Sequence, residues 1–249
     1  MRKVFCVLAV LLALCCQSAF AETVRLSNGT NASDGTSIRY SINQSRYESG
    51  QASAFKAKSN NDDYPTTSLF CGDLTTGWGT NFTNGIGINF GTLSVTDFYG
   101  DTVGGYIQTL YNHVYDSIFQ GNGYNDTYVV AFQMALWEII LDGNSGELDR
   151  TKGYLRISTP NDAEANTLAT SWLNSISDGS WTAEGADMLY ELTVYVPIRN
   201  GAHNPDISQT LIGVKSEMEN KSTTPEPATL AILGFGLLGA GLAARRKRA

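Results

Sequence analysis

Two side chains stand out as able to carry covalent chemistry. One is Cys71, in the run Ser68-Leu69-Phe70-Cys71-Gly72-Asp73-Leu74; the other is Gln133, in Tyr128-Val129-Val130-Ala131-Phe132-Gln133-Met134-Ala135-Leu136-Trp137-Glu138-Ile139-Ile140-Leu141. The chain has four cysteines. Cys6, Cys15 and Cys16 fall in a removable N-terminal leader, which leaves Cys71 alone and rules out an internal disulfide. A leftover cysteine implies a partner on another chain, an inert buried thiol or a reactive group. The segment around Gln133 is apolar nearly all round, so its helix must be buried. A buried amide without partners costs about 1–3 kcal/mol, so Gln133 requires a hydrogen-bond network, a water pocket or chemistry. Trp137 lies one turn later on the same face, where its ring could cover the Gln133 amide.

Other constellations are weaker. A cysteine hydrolase needs a base beside Cys71, and the only imidazoles are His113 and His203, neither at a spacing that places it there. No enzymatic turnover is expected. The loop Asp142-Gly143-Asn144-Ser145-Gly146-Glu147-Leu148-Asp149 alternates oxygen donors but lacks the EF-hand register, and reads as a helix-ending turn. An isopeptide crosslink needs a buried lysine, whereas Lys56, Lys58, Lys152, Lys215 and Lys221 sit in polar surroundings. No metal cluster or phosphate loop is visible, so no cofactor is expected.

These residues must be positioned by mixed structure. Short β-type runs fall at 36–42, 67–74 and 86–95 among turn-forming residues. From Asp101 the apolar period becomes helical, with Ile107, Leu110, Tyr111, Val114 and Ile118 on one face and Gly121 as a stop. A second helix spans 127–141, capped by Asp126 and ended by Asp142-Gly143. A third starts at Pro160 behind Thr159, with Ala165, Leu168, Ala169, Trp172, Leu173 and Ile176 as its stripe. Strands return at 188–198 and 207–214. The expected architecture is α+β: sandwich- or barrel-like strands with an inserted helical part over 22–215.

The ends differ from this body. Arg2 and Lys3, an apolar stretch and Ala19-Phe20-Ala21 form a signal peptide over 1–21. A linker over 216–227 contains Pro225-Glu226-Pro227, and an apolar segment, 228–244, precedes Arg245-Arg246-Lys247-Arg248. At about 1.5 Å per residue it just crosses a bilayer, with the basic cluster held inside. The whole chain carries −7, but residues 22–224 hold 11 basic against 23 acidic side chains, a net of −12. Such a body excludes a phosphate-tracking nucleic-acid binder. It also holds no Lys or Arg over the 91 residues 59–149. A solvated acidic surface accounts for this simply, and protection of an electrophile from internal amines is the sharper reading.

Two resemblances follow. The Pro225-Glu226-Pro227 motif, Gly-rich apolar segment and Arg-rich end resemble the PEP-CTERM sorting signal. That likeness implies a Gram-negative bacterium, a signal peptidase for 1–21, a membrane stage through 228–244, and cleavage by an exosortase, leaving the body at the cell surface or in the extracellular matrix. Phe70-Cys71 together with Gln133, Ala135 and Trp137 resembles the Cys-Gln thioester domain of bacterial surface proteins, with its aromatic-Cys strand and Thr-Gln-x-Ala-Ile/Val-Trp helix. Leu136 is a conservative replacement there, and Phe132 stands where that family has Thr. The resemblance implies a Cys71–Gln133 thioester, supported by Phe70, Ala135 and Trp137, that acylates a surface or matrix nucleophile, an amine or a hydroxyl. The alternative is a passive, exopolysaccharide-associated or carbohydrate-binding matrix protein with a free Cys71.

Overall fold

The computed structural model describes residues 22–60, 68–77, 84, 86–121, 123–186 and 188–218. The signal segment 1–21, residues 219–227 of the linker with Pro225, Glu226 and Pro227, and the tail 228–249 lie outside them. The chain divides into the units Met1–Met218 and Glu219–Ala249. Among the described residues no helix is long and apolar enough to cross a membrane.

Six strands close on themselves. The order runs β10 (Leu189–Arg199), β12 (Leu211–Met218), β5 (Leu69–Cys71), β4 (Phe55–Ser59), β1 (Glu22–Asn31) and β6 (Ile88–Leu93), and β6 pairs back to β10. All six contacts are antiparallel, with Val194 opposite Leu93 at the closure. The result is a barrel rather than a sandwich, and its ring leaves no exposed edge. Alternation along the strands turns Val24, Leu26, Phe90, Val194 and Val196 into the core. A hairpin strand, β11 (Ala202–His203), extends β10. A separate sheet joins β3 (Glu48–Ala52), β2 (Thr36–Ile42) and β9 (Leu155–Ser158). The short strands β7 (Phe119–Gln120) and β8 (Gly123–Tyr124) form a small hairpin.

The helices are inserted between β6 and β10: α1 (Val95–Tyr99), α2 (Asp101–Val114), α3 (Asp126–Asp142) and α4 (Ala163–Ser177). A 3-10 turn over Tyr115–Ile118 carries the apolar face of α2 onward, so Ile118 is buried as its period required. The α3 helix is buried continuously from Val129 to Ile139, and packs against α2, α4, β9 and β3. Its N-cap is Asn125, whose side chain accepts from the Tyr128 N–H, not the expected Asp126. The α4 helix starts at Ala163 under an Asp162 cap, not at Pro160. Thr159 instead donates its hydroxyl to the Ser37 carbonyl across to β2. The strand expected over 86–95 ends at Leu93, because Ser94 caps α1 through the Asp97 N–H. β1, β3, β4 and β9 carry no expected counterpart; β3 is built of polar and small side chains, and in β4 two lysines leave only Phe55 and Ala57 as apolar signal.

Candidate functional site

β5 is a three-residue strand, Leu69-Phe70-Cys71, with every side chain buried. On one side it pairs with β12, with Cys71 opposite Leu211, and the following Gly72 N–H donates to the Thr210 carbonyl at 2.8 Å. In an antiparallel ladder alternate residues point their backbone groups to opposite sides, so those of Cys71 face away from β12. There β4 has already departed, since it pairs with β5 only at Phe55–Leu69. Gln133 fills the gap. The Cys71 N–H donates to Gln133 Oε1 at 2.9 Å, and Gln133 Nε2 donates to the Cys71 carbonyl at 2.9 Å. The buried amide is thus satisfied by serving as one more ladder rung, and its plane is fixed against the backbone of Cys71. Gly72 is required beside this pair: a Cβ there would lie 2.5 Å from the Tyr99 hydroxyl oxygen, and that hydroxyl donates to the Gly72 carbonyl at 3.1 Å.

The sulfur is enclosed by acceptors. Cys71 Sγ lies 2.9 Å from Gln209 Oε1 and 2.8 Å from the Asp73 carbonyl, while the Asp73 N–H points back at it from 3.4 Å. Burial pushes the Cys71 thiol up to about 12, and the Asp73 charge adds to this; the Asp73 N–H and the nearby Trp137 indole only partly offset it. The group is a thiol at neutral pH. Burial raises the Tyr99 phenol, reinforced by Cys71 and Asp73. Burial would also raise the Asp73 carboxyl, but bonds from Thr76 and Thr75 outweigh it and hold the group below its ordinary value as a carboxylate.

Aromatic packing aligns strand and helix. Phe70 and Phe132, each one residue before a member of the pair, have ring centroids 4.5 Å apart, and the Tyr111 ring meets Phe132 edge-on at 4.9 Å. Tyr111 is tied to the barrel by its hydroxyl, which donates to the Ile212 carbonyl. Phe132, where the resembled motif has Thr, is therefore a core residue that keys α3 to β5. Ala135 is fully buried.

Cys71 and Trp137 line a cavity of about 300 Å³, together with Ser53, Phe55 and Gln209 at its base and Tyr40, Gln51, Asp73 and Thr76 around it. None of the described residues that line it is basic. Two polar atoms of its lining residues, Ser53 Oγ and Trp137 Nε1, are buried without a well-formed hydrogen bond among the described residues, and the Trp137 indole stands against the Cys71 sulfur. Each costs about 1–3 kcal/mol in that state. Trp137 lines the cavity beside Cys71 and is 3% exposed. Ser53 and Gln209 were not legible in the sequence, since each is a lone polar residue in a mixed segment with no distinguishing spacing.

The remaining candidates lie elsewhere. His113 stacks on Trp181 at 4.6 Å and bonds to the Thr182 carbonyl, and His203 packs near Phe98; neither lines the Cys71 cavity. In the 142–149 loop Asp142 accepts from the Tyr154 and Leu155 N–H groups, and Asp149 accepts from Thr151 and pairs with Lys152. Among the described residues no group of acidic, His or Cys side chains is arranged to hold a metal ion.

Comparison with known proteins agrees with the first resemblance. Residues 223–248 match the PEP-CTERM protein-sorting motif. A motif of this kind implies export, an exosortase as processing partner, and a cell-surface or extracellular destination. The fold is similar to the N-terminal thioester domain of a surface protein from Clostridium perfringens, at 15% identity and TM-score 0.38 over 74% of this chain and 100% of that one. It is similar to the N-terminal thioester domain of the fibronectin-binding protein SfbI from Streptococcus pyogenes, at 17% identity and TM-score 0.38 over 70% and 91%. It is also similar to the N-terminal domain of the Streptococcus pyogenes pilus tip adhesin Cpa, at 15% identity and TM-score 0.40 over 74% and 95%. No curated protein sequence matches the chain.

Proposed function

We propose that this is an adhesive surface or matrix protein in which Cys71 and Gln133 join as an internal thioester, a single-use acyl donor without turnover. The observation that carries this reading is the pair of 2.9 Å hydrogen bonds that pins the Gln133 carboxamide to the backbone of Cys71. In the proposed step Sγ adds to the Gln133 Cδ. Charge developing on Oε1 meets the Cys71 N–H already aimed at it, which stabilises the tetrahedral intermediate without reorganisation. The C–N bond breaks, Nε2 takes the thiol proton, and ammonia leaves. Positioning supplies most of the acceleration, because the thiol is not ionised and two held groups react far faster than free ones.

The stored bond is protected by its leaving group. A thiolate whose conjugate acid titrates near 12 departs poorly. Attack by a surface or matrix amine or hydroxyl, which brings a proton to the sulfur, then transfers the acyl group of Gln133 and restores the Cys71 thiol. Before this, signal peptidase would remove 1–21, the segment 228–244 would hold the chain in the membrane, and exosortase would cut near Pro225-Glu226-Pro227.

Intact mass tests the reading. The purified protein is expected to lack one ammonia, to gain one methylamine when that amine is added, and to do neither as Cys71→Ala. A full-mass protein with one titratable thiol would overturn it in favour of a passive matrix module.

A further inference from the structure

The Cys71 sulfur carries one proton and faces two oxygens. Sγ lies 2.8 Å from the Asp73 carbonyl and 2.9 Å from Gln209 Oε1, and a thiol donates to only one acceptor at a time. Once that proton has gone, as in a thioester, both oxygens turn lone pairs toward a sulfur that has only lone pairs to offer. The Asp73 carbonyl is fixed in the backbone. Gln209 is a side chain, and its carboxamide carries an acceptor on one arm and N–H donors on the other. Rotation about its last torsion, which is broad and roughly two-fold, exchanges the two arms. The ladder fixes where it stands. Leu211 is opposite Cys71 and the Thr210 carbonyl accepts from the Gly72 N–H, so Gln209, two residues before Leu211, takes the diagonal position, within reach of a long side chain. It is 4% exposed. The donors already near the sulfur are the Asp73 N–H, at 3.4 Å, and the Trp137 indole, which makes no well-formed hydrogen bond there. Among the described groups that contact the sulfur, Gln209 alone can present either an acceptor or a donor to it.

We infer that Gln209 is the catalytic partner of the sulfur: its carboxamide accepts the S–H of the Cys71 thiol and, turned over, donates an Nε2 proton in a hydrogen bond to the bare sulfur of the thioester. This rests on the thioester reading and assigns the group that lets the sulfur leave. When an amine attacks, its nitrogen bonds to Gln133 Cδ, the Cδ–Sγ bond breaks, and the electron pair of that bond goes to the sulfur. The Gln209 N–H meets the charge as it develops, in the way an oxyanion donor does. The proton lost by the amine then passes to the sulfur, and the carboxamide turns back to accept from the new S–H. Gln209 gives up no proton of its own. The products are a substituted amide on Gln133 and the free Cys71 thiol.

The test uses the full-length protein that has lost ammonia and follows methylamine capture by intact mass, in wild type and in Gln209→Glu. The introduced carboxylate keeps an acceptor and loses the donor, so in mildly alkaline solution the variant is expected to react about tenfold more slowly, a smaller loss than that of a full oxyanion donor. As the pH is lowered the introduced carboxyl takes up a proton, its O–H can donate, and the ratio of variant to wild-type rate should rise toward one. That ratio cancels the protonation of methylamine and the titration of Tyr40, Asp73 and Tyr99, the ionisable groups around the cavity and the sulfur, which both proteins share. A ratio constant with pH assigns Gln209 to packing and overturns the proposal. A second measurement needs no variant. In wild type labelled at glutamine nitrogens, the Gln209 side-chain N–H protons should show nuclear Overhauser contacts to the Cys71 β protons that are stronger in the thioester form than after methylamine treatment. Equal contacts in the two forms overturn the turning of the amide, and this measurement decides alone if Gln209→Glu does not fold. A wild-type chain that never loses ammonia sinks the thioester reading and the role of Gln209 with it, whereas ammonia loss with a flat ratio sinks Gln209 alone.

Discussion

Cys71 and Gln133 are coupled through the backbone of one and the side chain of the other, so substituting them should not have equal effects. Cys71→Ala removes a sulfur but keeps both hydrogen bonds to Gln133. Gln133→Ala strands a buried N–H and a buried carbonyl at about 1–3 kcal/mol each. Gln133→Ala is therefore expected to melt well below Cys71→Ala, by about 2–4 °C for each kcal/mol in a domain of this size. Thermal unfolding of the two variants, both unable to hold the bond, checks this; equal melting temperatures would show that the amide does not complete the ladder. Both residues were legible because each violates its surroundings, a lone thiol and a polar group in an apolar run. Their pairing followed only from the resemblance; the geometry that joins them depends on where β4 leaves β5, which no local pattern encodes.

At the level of the element, α3 carries a second buried polar side chain. Glu138 is fully buried, and its carboxyl oxygens make no well-formed hydrogen bond among the described residues. Burial, followed by the charges of Asp142 and Asp149, raises its pKa from 4.5 to about 9, against a smaller opposing pull from the Asp149 backbone and Arg150. Folding therefore takes up a proton above pH 4.5. The contribution of Glu138 to stability is fully present below 4.5 and is lost as pH rises through about 9. Glu138→Gln should melt close to wild type at pH 5 and increasingly above it toward pH 9; parallel melting curves across that range would exclude Glu138 as the cause. The helix itself was readable to within a residue at each end, because its apolar run is long. Its cap was misread by one position: Asn125 and Asp126 offer the same chemistry, and the extended backbone of Asn125, at φ −87° and ψ 100°, decides between them. The α4 start failed for a similar reason, since Pro160 is a good first helical residue but Asp162 supplies a side chain that reaches the Ala165 N–H.

Over the whole molecule, the fold class was legible and the ring was not, because closure joins β6 to β10, strands of unremarkable sequence separated by all four helices. The absence of basic residues from 59–149 acquires a place here, since the described residues of the cavity lining include none. Gln51→Lys puts an amine at the rim of that cavity. It is expected to shorten the life of the thioester by self-aminolysis, read as early loss of methylamine-reactive mass; an unchanged lifetime would assign the missing lysines to surface charge alone.

Closure also fixes a timetable. One of the two acceptors around the Cys71 sulfur, Gln209, lies 138 residues downstream, immediately ahead of β12, and β12 must slot between β10 and β5 before the ring exists. Contacts so distant along the chain form late and slowly. A half-emerged polypeptide consequently has no enclosed sulfur, so the proposed thioester could not form until nearly all of the described body has been delivered.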